Sequence, residues 1–155
     1  MITYSAVSEK NVDRAILVLR LAAGTIFIMH GYQKVFGFGF AGVTTAFTGM
    51  GVPEPTVVAP FVAVLELVGG IALVLGLFTR VAAFLLACEM LGAILLIHGK
   101  NGFFLPKGFE YALANLATLV AIALVGAAAY SVDAAMARRG TVTTLGGTRA
   151  TTADG

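Results

Sequence analysis

Charge is scarce in this chain and cysteine nearly absent. Only 12% of its 155 residues are Asp, Glu, Lys or Arg, about half the share usual in a soluble domain. That leaves too few polar side chains to cover a water-soluble surface. Cys88 is the single cysteine, which excludes an internal disulfide, a C-x-x-C redox pair and an iron–sulfur ligand set supplied by one chain. No basic run exceeds Arg138 and Arg139, and the net charge is +2. A nucleic-acid partner is therefore excluded, because nothing supplies an electrostatic footprint. Tryptophan is missing altogether.

What is abundant is apolar. Hydrophobic residues make up 59% of the chain and the mean hydropathy is +0.95, the profile of a membrane protein. At roughly 20 residues per crossing the length allows four or five spans and no separate soluble domain. Runs with few charges predict helices over 14–35, 56–78, 80–98 and 110–136. A signal peptide in the first run is disfavoured by Arg20, His30 and Lys34 and by the lack of a following A-x-A site. Between the first two runs, Val43, Phe47 and Met50 recur every three to four residues, as on a short amphipathic helix at the interface. The fold class expected is thus all-α: a four-transmembrane-helix bundle with a short interfacial helix between helices one and two. Residues 1–13 form an N-terminal cytoplasmic segment, 14–136 the membrane domain, and 137–155 a cytoplasmic tail without regular structure.

Lysine and arginine placement sets the orientation. Lys10, Arg14, Arg80, Arg138, Arg139 and Arg149 fall on one side, against Lys34, Lys100 and Lys107 on the other. Both termini are expected in the cytoplasm of a multi-pass inner-membrane protein. On that topology His30, Lys34 and His98 gather at the outer side, while Arg20, Glu66 and Glu89 lie deeper.

A charge at the centre of a spanning helix costs roughly 2.5–3.5 kcal/mol on insertion scales, so it is seldom left facing lipid. Arg20 on helix one and the carboxylates Glu66 and Glu89 near the middles of helices two and three predict an intramembrane charge cluster. A guanidinium can hold a carboxylate by two parallel hydrogen bonds. Arg20 is expected to pair with Glu66 or Glu89, leaving the other acid protonated beside a like charge. The plainer alternative is a cluster that only fixes helix packing.

At the outer side, His30 and Lys34 stand one helical turn apart on one face. With His98, Glu110 and Asn115 they form the expected pocket. His30, Phe36, Phe38, Phe103 and Phe104 could enclose a quinone ring; equally, aromatics and lysines there could serve as interface anchors. Two histidines could also ligate a haem, though a chain this short with no other haem cue argues against it. No metal ligand set and no catalytic residue is assigned. Tyr111, Asn115, Thr118, Ile122 and Gly126 form one stripe of helix four that should face its neighbours, with packing a sufficient reason. "GTIFIMHG" and "GAILLIHG", Gly24 to Gly31 and Gly92 to Gly99, share a Gly-x-Ile-x-x-x-His-Gly pattern, which parallel repeats would place at related positions. "GFGFAG", Gly37 to Gly42, matches G-x-G-x-x-G but follows a predicted membrane helix instead of a strand, which excludes the dinucleotide fingerprint.

Over residues 17–133 the chain resembles the DoxX family of membrane proteins. The resemblance rests on Arg20, on His-Gly-x-x-Lys at His30 to Lys34, on Glu-x-x-Gly-Gly at Glu66 to Gly70, on Glu89 and Met90, on Phe103 and Phe104 ahead of Glu110, and on Ser131 and Asp133. It implies four membrane helices in a redox setting. Relatives there include a subunit of a thiosulfate:quinone oxidoreductase and a membrane partner in an oxidative-stress complex. The polar set Arg20, His30, Lys34, Glu66, Glu89 and Glu110 is what it carries over. Three functions compete: a subunit of a quinone-linked or oxidative-stress redox complex, a small proton-coupled transporter, and a scaffold docking soluble redox enzymes. The first and third together fit best, as a non-catalytic or co-catalytic subunit whose partners are the lipid membrane and soluble redox enzymes or a second copy of the chain.

Overall fold

The computed structural model describes residues 8–147, with side chains to residue 139, and every regular element among them is helical. Helix α1 (Glu9–Tyr32) starts after Ser8 in extended backbone, with Glu9 in its first turn, where a negative charge suits the helix dipole. It runs on as a π-helical segment, Gln33–Phe38. Helix α2 (Gly39–Met50) stops at left-handed Gly51, the usual glycine exit. Helix α3 (Pro55–Leu75) begins on proline, whose missing N–H costs nothing in a first turn. Helix α4 (Thr79–Ala93) continues through a π-helical segment, Ile94–His98, and a short turn, Gly99–Asn101. Helices α5 (Glu110–Val125) and α6 (Val132–Gly147) complete the described chain.

Two boundaries differ from expectation. The fourth run, expected unbroken over 110–136, ends at Val125, because Gly126 takes φ +91° and turns the chain. A new helix then starts where the Ser131 hydroxyl accepts the Ala134 N–H at 3.1 Å, an N-terminal cap. Residues 137–147, expected to lack structure, continue α6. Ala134, Ala135 and Ala137 are strong helix formers. The remaining tail, 148–155, and residues 1–7 lie outside the described residues.

Helix α1 packs along α3 and α4 along α5, while α3 also meets α4 and α1 meets α5. Their shared interior holds Ala23, Phe27, Leu73, Leu86, Leu119 and Ile122. The α1–α3 contact is close because glycines meet there. A Cβ on Gly24 would lie 2.8 Å from the Gly70 carbonyl oxygen, and one on Gly31 would collide with the Leu67 backbone. Small residues of this kind let membrane helices approach backbone to backbone.

The outward face is as apolar as the core: Val18, Phe61, Val68, Phe84, Leu95 and Leu124 are all exposed. Apolar surface on this scale needs a nonaqueous neighbour. Helix α3, 21 residues long, and Thr79–Asn101, 23 residues long, reach mean hydropathies of 2.4 and 2.2 over their most apolar 18 residues and are long and apolar enough to cross a membrane.

Candidate functional site

The polar residues separate into two levels. At one level is Arg20, only 1% exposed. Its Nε donates to the Leu73 carbonyl at 2.9 Å and Nη2 to Val74 at 3.2 Å, while Nη1 donates to the carbonyls of Tyr130, at 3.0 Å, and Ala127. These acceptors are carbonyls of the last turn of α3, where Leu73 also accepts the Gly76 N–H at 3.2 Å, and of the turn after α5. The fork of guanidinium donors fits such a set. Arg20 therefore ties α1 to the end of α3 and to the α5–α6 turn.

The expected pairing of Arg20 with Glu66 or Glu89 is thus corrected. Gly24 faces Gly70 and Gly31 faces Leu67 across α1 and α3, which sets Arg20 level with Leu73 and Val74. Glu66 stands seven positions earlier on α3, roughly 10 Å along the axis at helical rise. An arginine at that register cannot reach it.

Beside Arg20, Asp133 accepts the backbone N–H of Phe78 at 2.8 Å and of Thr79 at 3.0 Å, covering the start of α4. Its partial burial pushes the carboxyl up. The N–H groups of Thr79 and Phe78, and Arg20 nearby, outweigh that and hold it below its ordinary value. Arg80 donates to the Val125 carbonyl at 3.2 Å, and Asp13 accepts the Ala129 N–H at 3.0 Å. This end of the molecule is closely tied together.

The second level holds a cavity of about 310 Å³. Lys34 and Glu66 form an ion pair on its wall, with side chains 18% and 6% exposed. Lys34 belongs to the π-helical segment after α1, and π turns, which shift the register of side chains, recur at functional sites. Glu89 faces Glu66 from α4, and its Oε2 is buried with no hydrogen-bond partner among the described residues. A buried oxygen left this way costs free energy unless the facing Glu66 carboxyl, a ligand or water supplies the partner. His30 and Tyr111 approach at 3.5 Å between Nε2 and the hydroxyl, with ring centres 6.1 Å apart. Asn115 lines the cavity while donating to the Tyr111 carbonyl at 3.0 Å. His98 also borders it and donates from Nδ1 to the Lys107 carbonyl at 3.0 Å.

The cavity brings together four of the five pocket residues expected from sequence: His30, Lys34, His98 and Asn115. Glu66 and Glu89 join them from the charge cluster. Glu110 does not line it. Its carboxylate instead accepts the Leu105 N–H at 2.7 Å and shapes the loop ahead of α5. The expected aromatic enclosure is also replaced: Phe36, Phe38, Phe103 and Phe104 are exposed and Phe27, Phe47 and Tyr111 line the space. Phe27 and Phe47 sit at helical spacing within apolar runs, and no signal in the sequence separates such residues from ordinary packing. Of the expected stripe, Asn115 and Ile122 on α5 and Gly126 just after it are buried, whereas Thr118 is half-buried and Tyr111 exposed. Both histidines of the Gly-x-Ile-x-x-x-His-Gly pattern border the same cavity.

The DoxX family profile matches residues 15–99. "Putative oxidoreductase CatD" of Bacillus subtilis is 33% identical over 81% of this chain and 89% of its own length. "Inner membrane protein YqjF" of Escherichia coli is 31% identical over 81% and 94%. An uncharacterized membrane protein of Mycobacterium tuberculosis is 31% identical over 82% and 84%. No solved structure matches.

Proposed function

Since the chain belongs to the DoxX family of membrane proteins, we propose that it is the membrane-embedded, quinone-binding subunit of a redox complex. In this reading α1, α3, α4 with its extension, and α5 cross the bilayer as a four-helix bundle. Helix α2 lies at the interface and both termini are cytoplasmic.

One observation carries the reading: ionisable and hydrogen-bonding side chains converge on a cavity inside an otherwise apolar assembly. Intramembrane groups of this kind are costly and mark binding or proton-handling sites. A quinone ring is flat and apolar with carbonyl oxygens that accept hydrogen bonds. Lys34, His30, Tyr111 and Asn115 offer donors, and Phe27, Met90 and Ala112 offer apolar walls. Reducing a quinone to a quinol takes two electrons and two protons. The protons have carriers at hand in Glu89 and the Lys34–Glu66 pair. The electrons come from a soluble redox enzyme docked on the membrane, because a lone cysteine cannot form a dithiol couple. The oxidoreductase name of the Bacillus subtilis relative supports a redox setting.

The test is an organic extract of the protein purified in mild detergent, analysed for quinone. Close to one quinone per chain is expected, and a marked loss in His30→Ala. Protein that is folded yet quinone-free, and that binds no added quinone, overturns the reading.

A further inference from the structure

A second cavity, of about 370 Å³, opens between α2, α3 and α4. Its lining is apolar apart from Cys88 and Glu89, and it shares Phe47, Val62, Glu89, Ala93 and Ile97 with the polar cavity. Glu89 stands at the junction of the two. On the far side the groove reaches the outer surface through Phe61, Leu85 and Leu96, all exposed. In a membrane that surface faces hydrocarbon. The molecule therefore offers one continuous site with a polar inner half and an apolar outer half opening sideways.

We propose that the groove takes the hydrocarbon tail of the molecule whose ring occupies the polar cavity, so that the ligand is a long-tailed lipid quinone admitted laterally between α3 and α4. This rests on the quinone reading above. The tail gains no hydrophobic free energy by leaving lipid, because lipid chains are as apolar as the groove. Its contribution comes from van der Waals contact with fixed walls. The groove thus selects tail over no tail by a modest factor, and the polar cavity sets the chemistry of the head.

Gly92 makes the idea testable. It lines the groove, and a Cβ added there meets nothing within 4 Å. Gly92 does not line the polar cavity, so Gly92→Leu narrows the groove from a position outside that cavity. The full-length protein in lipid nanodiscs is titrated with two benzoquinones of identical ring, one with a decyl tail and one with a methyl group. Binding is corrected for partition into empty nanodiscs. The wild type is expected to favour the decyl compound by about tenfold, equivalent to about 1.4 kcal/mol. Gly92→Leu should remove that preference and leave the methyl compound's affinity unchanged. Cys88→Phe, one turn earlier on α4, gives a second variant with the same expectation if the first does not fold. Equal affinity of the two quinones for the wild type overturns the proposal, as does equal weakening of both by the variants; the groove then holds only bulk lipid chains. If neither quinone binds the wild type, the ring site itself fails and the inference falls with it.

Discussion

Replacing Lys34 by Met leaves Glu66 as a carboxylate without its cation, 6% exposed and beside Glu89. The magnitude follows from two bounds. Removing one partner of a fully buried ion pair costs about 3–5 kcal/mol, whereas exposed pairs contribute about 0–1 kcal/mol. Lys34 is 18% exposed, so the pair belongs between these limits, and we expect Lys34→Met to destabilise the protein by about 2–3 kcal/mol. Glu66→Gln alone should cost less, because it also removes one of two facing carboxylates. The double variant should recover much of the loss, with a coupling of about 2 kcal/mol, a factor of roughly 30 in an equilibrium constant. Reversible unfolding in mixed micelles, followed by circular dichroism for the wild type, both single variants and the double variant, measures all four corners. A coupling indistinguishable from zero would show that Lys34 and Glu66 do not interact energetically, and the polar cavity would lose the pair that defines its wall.

Two further outcomes follow from the opposite end. Arg20→Leu removes four donated hydrogen bonds from buried or part-buried carbonyls and should destabilise strongly, yet its cost should be unchanged in a Glu66→Gln background, additive to within about 0.5 kcal/mol as for well-separated sites; a larger coupling would restore the pairing the structure rejects. Asp133→Asn weakens the contacts to the Phe78 and Thr79 N–H groups. The folded-state pKa of Asp133 is depressed, so its contribution is fully present above the unfolded-state value of about 3.9 and is lost as pH falls through the lower folded value. Melting temperatures should therefore separate wild type from variant at pH 7 and converge in acid; a gap that widens in acid would contradict the assignment.

Much of this was legible in the sequence. Composition gave a membrane protein, apolar runs gave the helices to within a few residues at most ends, and His30, Lys34 and His98 were already gathered at one depth, with Asn115 assigned to the same pocket. The Arg20 assignment failed through register. Aligning the predicted ends of helices one and two antiparallel would already have set Arg20 several residues from Glu66, beyond a side chain's reach. Opposite charges were matched by type without regard to depth, although backbone carbonyls at a helix end are equally good partners for a guanidinium. The break at Gly126 was hidden because glycine is common within membrane helices, and only its positive φ marks it as a turn. The π-helical segment that carries Lys34 has no sequence signature at all. Glu110 looked like a pocket residue because it lies at the right depth, but depth does not say toward which neighbour a side chain turns.

The interior layer of Phe27, Leu73, Leu86, Leu119 and Ile122, each at most 2% exposed, has a kinetic meaning. In the quinone reading proposed above, this layer and the tied Arg20 end lie on one side of the polar chamber, so a bound quinone should exchange sideways with the bilayer, at a rate that follows its mole fraction there.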